Sequence, residues 1–297
     1  MSNAASTTDP ARQSRDTEAP AARASRDWLV HAILIAGVVI FALPLWIVLM
    51  GSTHDAATIG RGDIPLLPGP DAVANYSLAW NRGGQGGIGV GHMLWNSFVM
   101  AMSIAVGKIV ISILSAYAVV FFRFPGRTLA FWAIFLTLML PVEVRIFPTF
   151  KVVSDLGLVN TFPGLIIPVV ASATATLLFR QFFLTIPDEF VEAAKMDGAG
   201  PLRFFWDVVL PLSRTNIAAL FVILFVYGWN QYLWPLLVAT SAEVETVVIG
   251  MVKMIGSESN TEWNLIMATC VLALLPPVAV VVLMQRWFVK GLTDTEK

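Results

Sequence analysis

"EAAKMDGAGPLRFFWDVVLP", Glu192 to Pro211, sets Glu192, Asp197, Arg203 and Asp207 between two long apolar runs. The stretch reads as two short helices. Pro187 suits a first helical position, and Asp188 and Glu189 favour the positive end of a helix. Phe190, Ala193, Ala194 and Asp197 recur at helical spacing, which makes a small-residue apolar face with acids beside it. Gly198 can take the left-handed conformation that ends a helix. Gly200-Pro201 then turns the chain and starts a second helix through Leu210. One reading is a surface helix lying at lipid headgroups, but such helices carry Lys and Arg on their polar face. Glu192 and Asp197 fit better against a basic protein groove, which Ala193 and Ala194 are small enough to approach.

Outward from this elbow the chain is mostly apolar. Of its 297 residues 57% are hydrophobic and 13% charged, against about 45–50% and 25% in soluble domains. Mean hydropathy is +0.73, so the chain belongs to the membrane class. Crossing a hydrocarbon core of ~30 Å takes about 20 apolar residues as a helix. Six runs qualify: Trp28–Met50, Leu94–Phe122, Thr128–Val142 (extendable to Phe147), Phe162–Ile186, Asn216–Ala239 and Asn264–Val289. The third is the weakest, since Glu143 and Arg145 follow its clean part closely. Backbone polar groups in lipid must be satisfied within the segment, so these runs are expected as helices. The alternating pattern of a membrane barrel is absent. The expected fold is an all-α membrane protein of six transmembrane helices.

Lys and Arg set the orientation. With six spans, thirteen of them fall on the side of the tail, the 123–127 turn, the 187–215 segment and the C-terminus. Five fall on the other side, and Lys108 lies within a span. Both termini and the elbow are therefore expected in the cytoplasm. Residues 1–27 are expected as a disordered cytoplasmic tail, because they hold too little apolar surface to order themselves. The 23-residue run from Trp28 is too long for the core of a signal peptide. Residues 28–290 form the membrane domain, with 187–213 as its elbow, and 291–297 a cytoplasmic tail. Residues 51–93, roughly 143–161, and 240–263 are expected as external loops.

Little else carries chemistry. Net charge is −1, so no basic field draws nucleic acid. Cys270 is the one cysteine, and His31, His54 and His92 are far apart. No metal site is expected, and no catalytic constellation emerges. "GGQGGIGVG" (Gly83–Gly91) lacks the Lys-Ser/Thr of a phosphate loop and reads as a flexible linker. "GRGD" (Gly60–Asp63) has no second intramembrane aspartate with which to share a proton.

The spans hold a few polar groups. Lys108 sits midway in the second run, where a Lys costs ~2.5–3.5 kcal/mol on insertion scales. It is either a cation beside the path of an anionic solute or a snorkelling or paired structural residue. Glu143 and Arg145 either pair with each other or leave Arg145 at the outer mouth. Arg180 is expected as an interfacial anchor. "GWNQYLWP" puts Asn230 and Gln231 within the fifth span among Trp229, Tyr232 and Trp234. Amides beside aromatics suit a polyol or sugar, yet Trp and Tyr also form ordinary interfacial belts. Thr174 is either a lining or a packing residue. Lys108, Arg145, Thr174, Trp229, Asn230, Gln231 and Tyr232 form the candidate path.

Glu192-Ala193-Ala194, Asp197-Gly198-Ala199 and Leu210-Pro211 together resemble the EAA loop of ABC-importer permeases. The likeness covers residues 28–297 and is similar to the carbohydrate branch with a maltose-type second permease. "LMLPVEVRIFPT" (Leu138–Thr149), "ASATATLLFRQFF" (Ala171–Phe183) and "YGWNQYLWPLL" (Tyr227–Leu237) resemble more narrowly the sn-glycerol-3-phosphate permeases of that branch. The resemblance implies a type I importer subunit in a bacterial inner membrane, bound to a homologous second permease, two ATPase subunits and an external solute-binding protein. It assigns docking on the ATPase to Glu192, Ala193, Ala194, Asp197, Gly198, Ala199 and Pro211. No cofactor is then expected on this chain, which has no Gly-x-x-x-x-Gly-Lys-Ser/Thr; ATP and Mg belong to the ATPases. The implied solute is glycerol 3-phosphate or a glycerophosphodiester, with a sugar or oligosaccharide as the alternative. A self-contained, ion-coupled transporter is the more distant reading and would need acid–base relays inside the spans.

Overall fold

The computed structural model describes residues 20–83, 87–139, 142–255 and 261–293, and among them every regular element is helical. Helix α1 (Pro20–Gly51) is followed by two short helices, α2 (Ala56–Gly60) and α3 (Ala72–Arg82). Next come α4 (Val90–Phe121), α5 (Arg127–Met139), α6 (Val142–Asp155), α7 (Phe162–Ile166) and α8 (Ala173–Phe183). The elbow holds α9 (Asp188–Met196), α10 (Pro201–Phe204) and α11 (Leu210–Leu212). Beyond it lie α12 (Arg214–Trp229), α13 (Leu233–Val238), α14 (Val247–Ile255) and α15 (Trp263–Thr293). The segment expected as an N-terminal tail is helical from Pro20, and residues 1–19 lie outside the described residues. At the other end α15 continues to Thr293, past the expected boundary at 290, and 294–297 lie outside the described residues.

Three helices, Trp28–Gly51, Val90–Phe121 and Trp263–Arg286, are long and apolar enough to cross a bilayer unbroken. The two shorter ones, at 24 residues, reach about 36 Å. Of the other three expected spans two are interrupted and one is short. In the fourth run, Phe162–Val169 and Ala173–Phe183 meet at 48°. Pro168 offers no amide there, and the Ser172 hydroxyl accepts from the amide of Ala175 and restarts the helix. The fifth run ends early. Helix α12 stops at Trp229, and α13 begins only at Leu233. A continuous helix would drive the Pro235 ring into the carbonyl of Gln231. Asn230 and Gln231 therefore sit at a break and not inside the expected helix over 216–239. The third run is α5, whose 13 residues give about 20 Å. The segment expected as an external loop after it is mostly the 14-residue helix α6. Lys151 and Asp155 pair along that helix at 3.0 Å, and Pro148 lies inside it.

Helix α4 is the hub. Its buried residues Ala101, Ala105, Ile109, Ile113 and Ala116 share one core with Leu220, Leu224 and Phe225 of α12, Ala175, Phe179 and Phe183 of α8, and Ala268 of α15. Small residues let the helices approach closely. A Cβ at Gly228 would lie 2.9 Å from the Cα of Ala101. A second cluster joins Met100 and Ile104 of α4 to Ile146 and Val153 of α6, Leu165 of α7 and Trp234 of α13. The indole of Trp234 donates to the carbonyl of Gly164 at 3.2 Å.

The end of the bundle away from the elbow is held by polar contacts. Asn75 donates to the carbonyls of Ser52 (2.9 Å) and His54 (2.7 Å) and accepts from Asn264 (2.9 Å). These bonds fasten α1, α3 and α15 together. Asn160, at φ 60°, accepts from the amides of Thr240 and Ser241, each at 2.7 Å. The glycine stretch is more than a linker where it is described. A Cβ at Gly89 or Gly91 would meet Trp80 at 2.4 and 2.9 Å, so the chain there is pressed against α3; residues 84–86 lie outside the described residues. At α2, Asp55 caps the amides of Ala57 and Thr58. The Thr58 hydroxyl holds its carboxyl below the usual range, followed by the same residue's amide. This cap's contribution is present above the usual carboxylate range and fades as the pH falls.

Candidate functional site

The 188–212 segment stands out from the bundle. No residue of α9 is buried. The helix ends as a Schellman turn: the amide of Gly198 bonds the carbonyl of Lys195 at 3.0 Å, and that of Ala199 bonds Ala194 at 2.8 Å. Gly198 has φ 69°, the left-handed conformation expected of it, and among the described residues, its chain neighbours aside, nothing lies within 4 Å of where its Cβ would be. Glu192, Ala193 and Asp197 are exposed, whereas Ala194 and Ala199 are half-buried. Ala193 and Ala194 therefore do not share one role: Ala194 and Val191 pack onto the core, and Ala193 faces away. The exposed side is also more apolar than the acids suggest. Phe190 is 46%, Met196 83% and Leu202 75% exposed.

The elbow is fastened to α4 at one point that the sequence did not disclose. Tyr117 donates its hydroxyl to the carbonyl of Pro201 at 2.7 Å. Its ring lies 5.0 Å from that of Phe205, and Phe121 lies 5.3 Å from Phe204. A cavity of about 260 Å³ under this joint is lined by Tyr117, Phe121, Ala194, Lys195 and Phe204 among others. Tyr117→Phe removes one hydrogen bond of about 1 kcal/mol and keeps the ring. The expected result is about fivefold faster amide exchange across the elbow, read by hydrogen–deuterium exchange against the unaltered protein. Unchanged exchange would show that the hydroxyl does not hold the elbow to α4.

Beyond Phe204 the helix changes pitch. Phe205–Val209 form a π turn, α11 follows, and the chain bends by 70° at Ser213 before α12. Pro211 has no amide to give, which favours an altered register just before it. Buried Ser213 closes the bend by donating to the carbonyl of Val209 at 2.6 Å. Pro211 is half-buried and belongs to this bend, away from the exposed face of α9. Arg203 and Asp207 form an exposed pair at 3.2 Å along the helix, a contact of small energetic weight.

The candidate path residues divide into groups. Lys108 is 6% exposed, and its ammonium lies 4.0 Å from the centre of the Tyr227 ring. Among the described residues no carboxylate pairs with it. Arg145 is exposed on α6. The side chain of Glu143 lies outside the described residues. The break in the fourth span lies against α4 at the same level: a Cβ at Gly107 would meet Val170 at 2.9 Å, and Ser112 donates to the carbonyl of Ser172. Thr174 is exposed just after this break. Trp229 is not a lining residue; it is 3% exposed and stacks on Phe225 in the core. Asn230 is exposed, Gln231 donates to the carbonyl of Tyr227 at 3.3 Å, and Tyr232 is 37% exposed. Tyr227 is the residue missed, for it immediately precedes the motif, Gly228–Pro235, that drew attention to this region.

Residues 108–294 match the family described as "Binding-protein-dependent transport system inner membrane component". The sn-glycerol-3-phosphate transport system permease protein UgpE of Brucella melitensis is 58% identical over 90% of this chain and 96% of its own length. That of Yersinia enterocolitica is 55% identical over 93% of this chain and 99% of its own. Among solved structures, a chain of a bacterial ABC transporter involved in import of the acidic polysaccharide alginate superposes with a TM-score of 0.75. It is 23% identical, covers 91% of this chain and is itself 99% covered. The alginate transporter in complex with its pentasaccharide-bound periplasmic protein gives a TM-score of 0.59 at 15% identity, over 90% and 96% of the two chains.

Proposed function

Because this chain belongs to the binding-protein-dependent transport system inner membrane components, we propose that it is a permease subunit importing sn-glycerol 3-phosphate or a glycerophosphodiester across a bacterial inner membrane. Both termini and the elbow face the cytoplasm, in keeping with the excess of Lys and Arg on that side. A homologous permease completes the path, two ATPase subunits bind ATP and Mg, and an external binding protein delivers the solute. This chain is not itself an enzyme and holds no nucleotide.

The observation that carries the reading is the elbow: an exposed helix ended by a left-handed glycine and hung on α4 through Tyr117. Glu192, Ala193, Asp197 and Gly198 enter a groove of the ATPase, with exposed Phe190 and Met196 beside them. Val191, Ala194 and Ala199 face inward. Closure of the ATPases on ATP pushes α9, and the aromatic joint passes the movement to α4 and, through the bend at Ser213, to α12. The bundle then rocks between two arrangements, one biased by nucleotide and the other by the loaded binding protein. Lys108 and Arg145 offer positive charge to the solute's phosphate. Reconstitution tests this directly. Vesicles holding the chain with its three kinds of partner are expected to accumulate glycerol 3-phosphate only with ATP and the binding protein. Accumulation by the chain alone, driven by an ion gradient, would overturn it.

A further inference from the structure

At the end of the bundle that carries the elbow, arginines gather around a recess the transport reading does not use. Arg123 follows the end of α4, Arg127 opens α5, and Arg180 lies in the last turn of α8. A cavity of about 110 Å³ between α4, α5 and α8 is lined by Arg127, Thr128, Phe131 and Arg180 among others. It is several times the ~30 Å³ share of a liquid water. Arg127 and Thr128 also line the adjoining hollow at Arg123.

The recess is electrostatically incomplete. The Arg180 guanidinium lies 4.2 Å from the centre of the Phe131 ring, and its Nε is buried with no hydrogen-bond partner. Buried donors are almost always paired, so an orphan of this kind calls for an acceptor. Among the described residues none of these arginines pairs with a carboxylate. Among the described residues the Arg127 guanidinium has only a long bond of 3.4 Å to the carbonyl of Phe122. The N-terminus of the 13-residue helix α5 adds its own positive end here. An anion with several acceptor oxygens answers all of these donors.

The surroundings select which anion. Leu129, Trp132 and Leu136 are 74%, 51% and 57% exposed. Their spacing puts them on one face of α5, as a bare apolar stripe leading away from the recess. A free phosphate gains nothing from that stripe, whereas a phosphate carrying acyl chains uses both. Basic pockets between membrane helices at the cytoplasmic face suit such headgroups, and Trp132 suits the interface. We infer that the recess of Arg127, Thr128 and Arg180 binds the headgroup phosphate of an anionic phospholipid, whose chains lie along α5. The bound lipid braces α5 against α8, whose last turn runs straight into the elbow. The inference stands whichever solute the transporter carries.

Native mass spectrometry of the whole complex, extracted from phosphatidylcholine vesicles doped with phosphatidylglycerol, tests it. The unaltered complex is expected to retain phosphatidylglycerol selectively. Arg127→Gln and Arg180→Gln should each weaken that retention roughly fivefold, and Arg180→Lys should restore part of it. If either variant does not assemble, Arg123→Gln with Thr128→Val, both at exposed positions, carries the same comparison. Equal retention by all assembled forms would overturn the inference. So would loss of the lipid to millimolar inorganic phosphate, or protection of Arg180 from modification only when a partner subunit is bound.

Discussion

Gly198→Asp is expected to leave the protein inserted and assembled but to reduce solute uptake to about a hundredth or less. Among the described residues, its chain neighbours aside, nothing lies within 4 Å of the new Cβ. The only internal penalty is the left-handed backbone at φ 69°, about 1–2 kcal/mol, which aspartate tolerates better than most residues. A penalty of that size at an exposed helix end does not unfold a packed bundle. Near-total loss of transport must then come from a surface outside the chain that requires close approach at this turn. Forcing a charge into a desolvated contact costs several kcal/mol, and about 3 kcal/mol is already a hundredfold. Reversing the charge at Glu192, also exposed, is expected to act in the same direction. Uptake assays beside a membrane-fraction blot check both variants, and normal uptake by both would count against docking at α9.

Lys108→Met should do two things that a purely structural lysine would not do together. The buried ammonium has a ring contact with Tyr227 but no carboxylate among the described residues. Insertion of a central lysine costs ~2.5–3.5 kcal/mol, while a desolvated cation–π contact returns about 2 kcal/mol. Methionine of similar length is therefore expected to raise the stability of the bundle by about 1 kcal/mol, seen as a higher melting temperature. Glycerol 3-phosphate uptake is expected to fall about a hundredfold, as for loss of one partner of a buried charge contact. Lys108→Arg should keep much of it. Undiminished uptake by Lys108→Met would give Lys108 a structural role only.

Much of this architecture could be read from residues near one another in the chain. Apolar runs located the helices, because lipid leaves the backbone no alternative. The turn at Gly198 followed from a glycine at the end of an apolar period, and its φ of 69° agrees. Interruptions inside apolar runs were harder. Residues 170–172 are as apolar as their neighbours, and only Pro168 and the capping Ser172 signalled the break. Trp229 looked like a lining residue because it adjoins two amides, yet helix phase turns it onto Phe225. Long-range pairs left no local trace. Tyr117 meets a carbonyl 84 residues away, and Lys108 meets a ring on another helix. Helix α6 was concealed by its charges and by Pro148, which suggested a loop.

The reading rests on α9 being a contact for an ATP-hydrolysing partner on the cytoplasmic side. Ala193 is exposed and small, so Ala193→Cys places a thiol on that surface with little disturbance. Crosslinking from this thiol in the whole transporter is expected to capture an ATPase subunit, with a yield that changes when ATP is bound. Labelling of the same thiol by an impermeant reagent added outside intact cells, with no ATPase captured under any nucleotide condition, would contradict it.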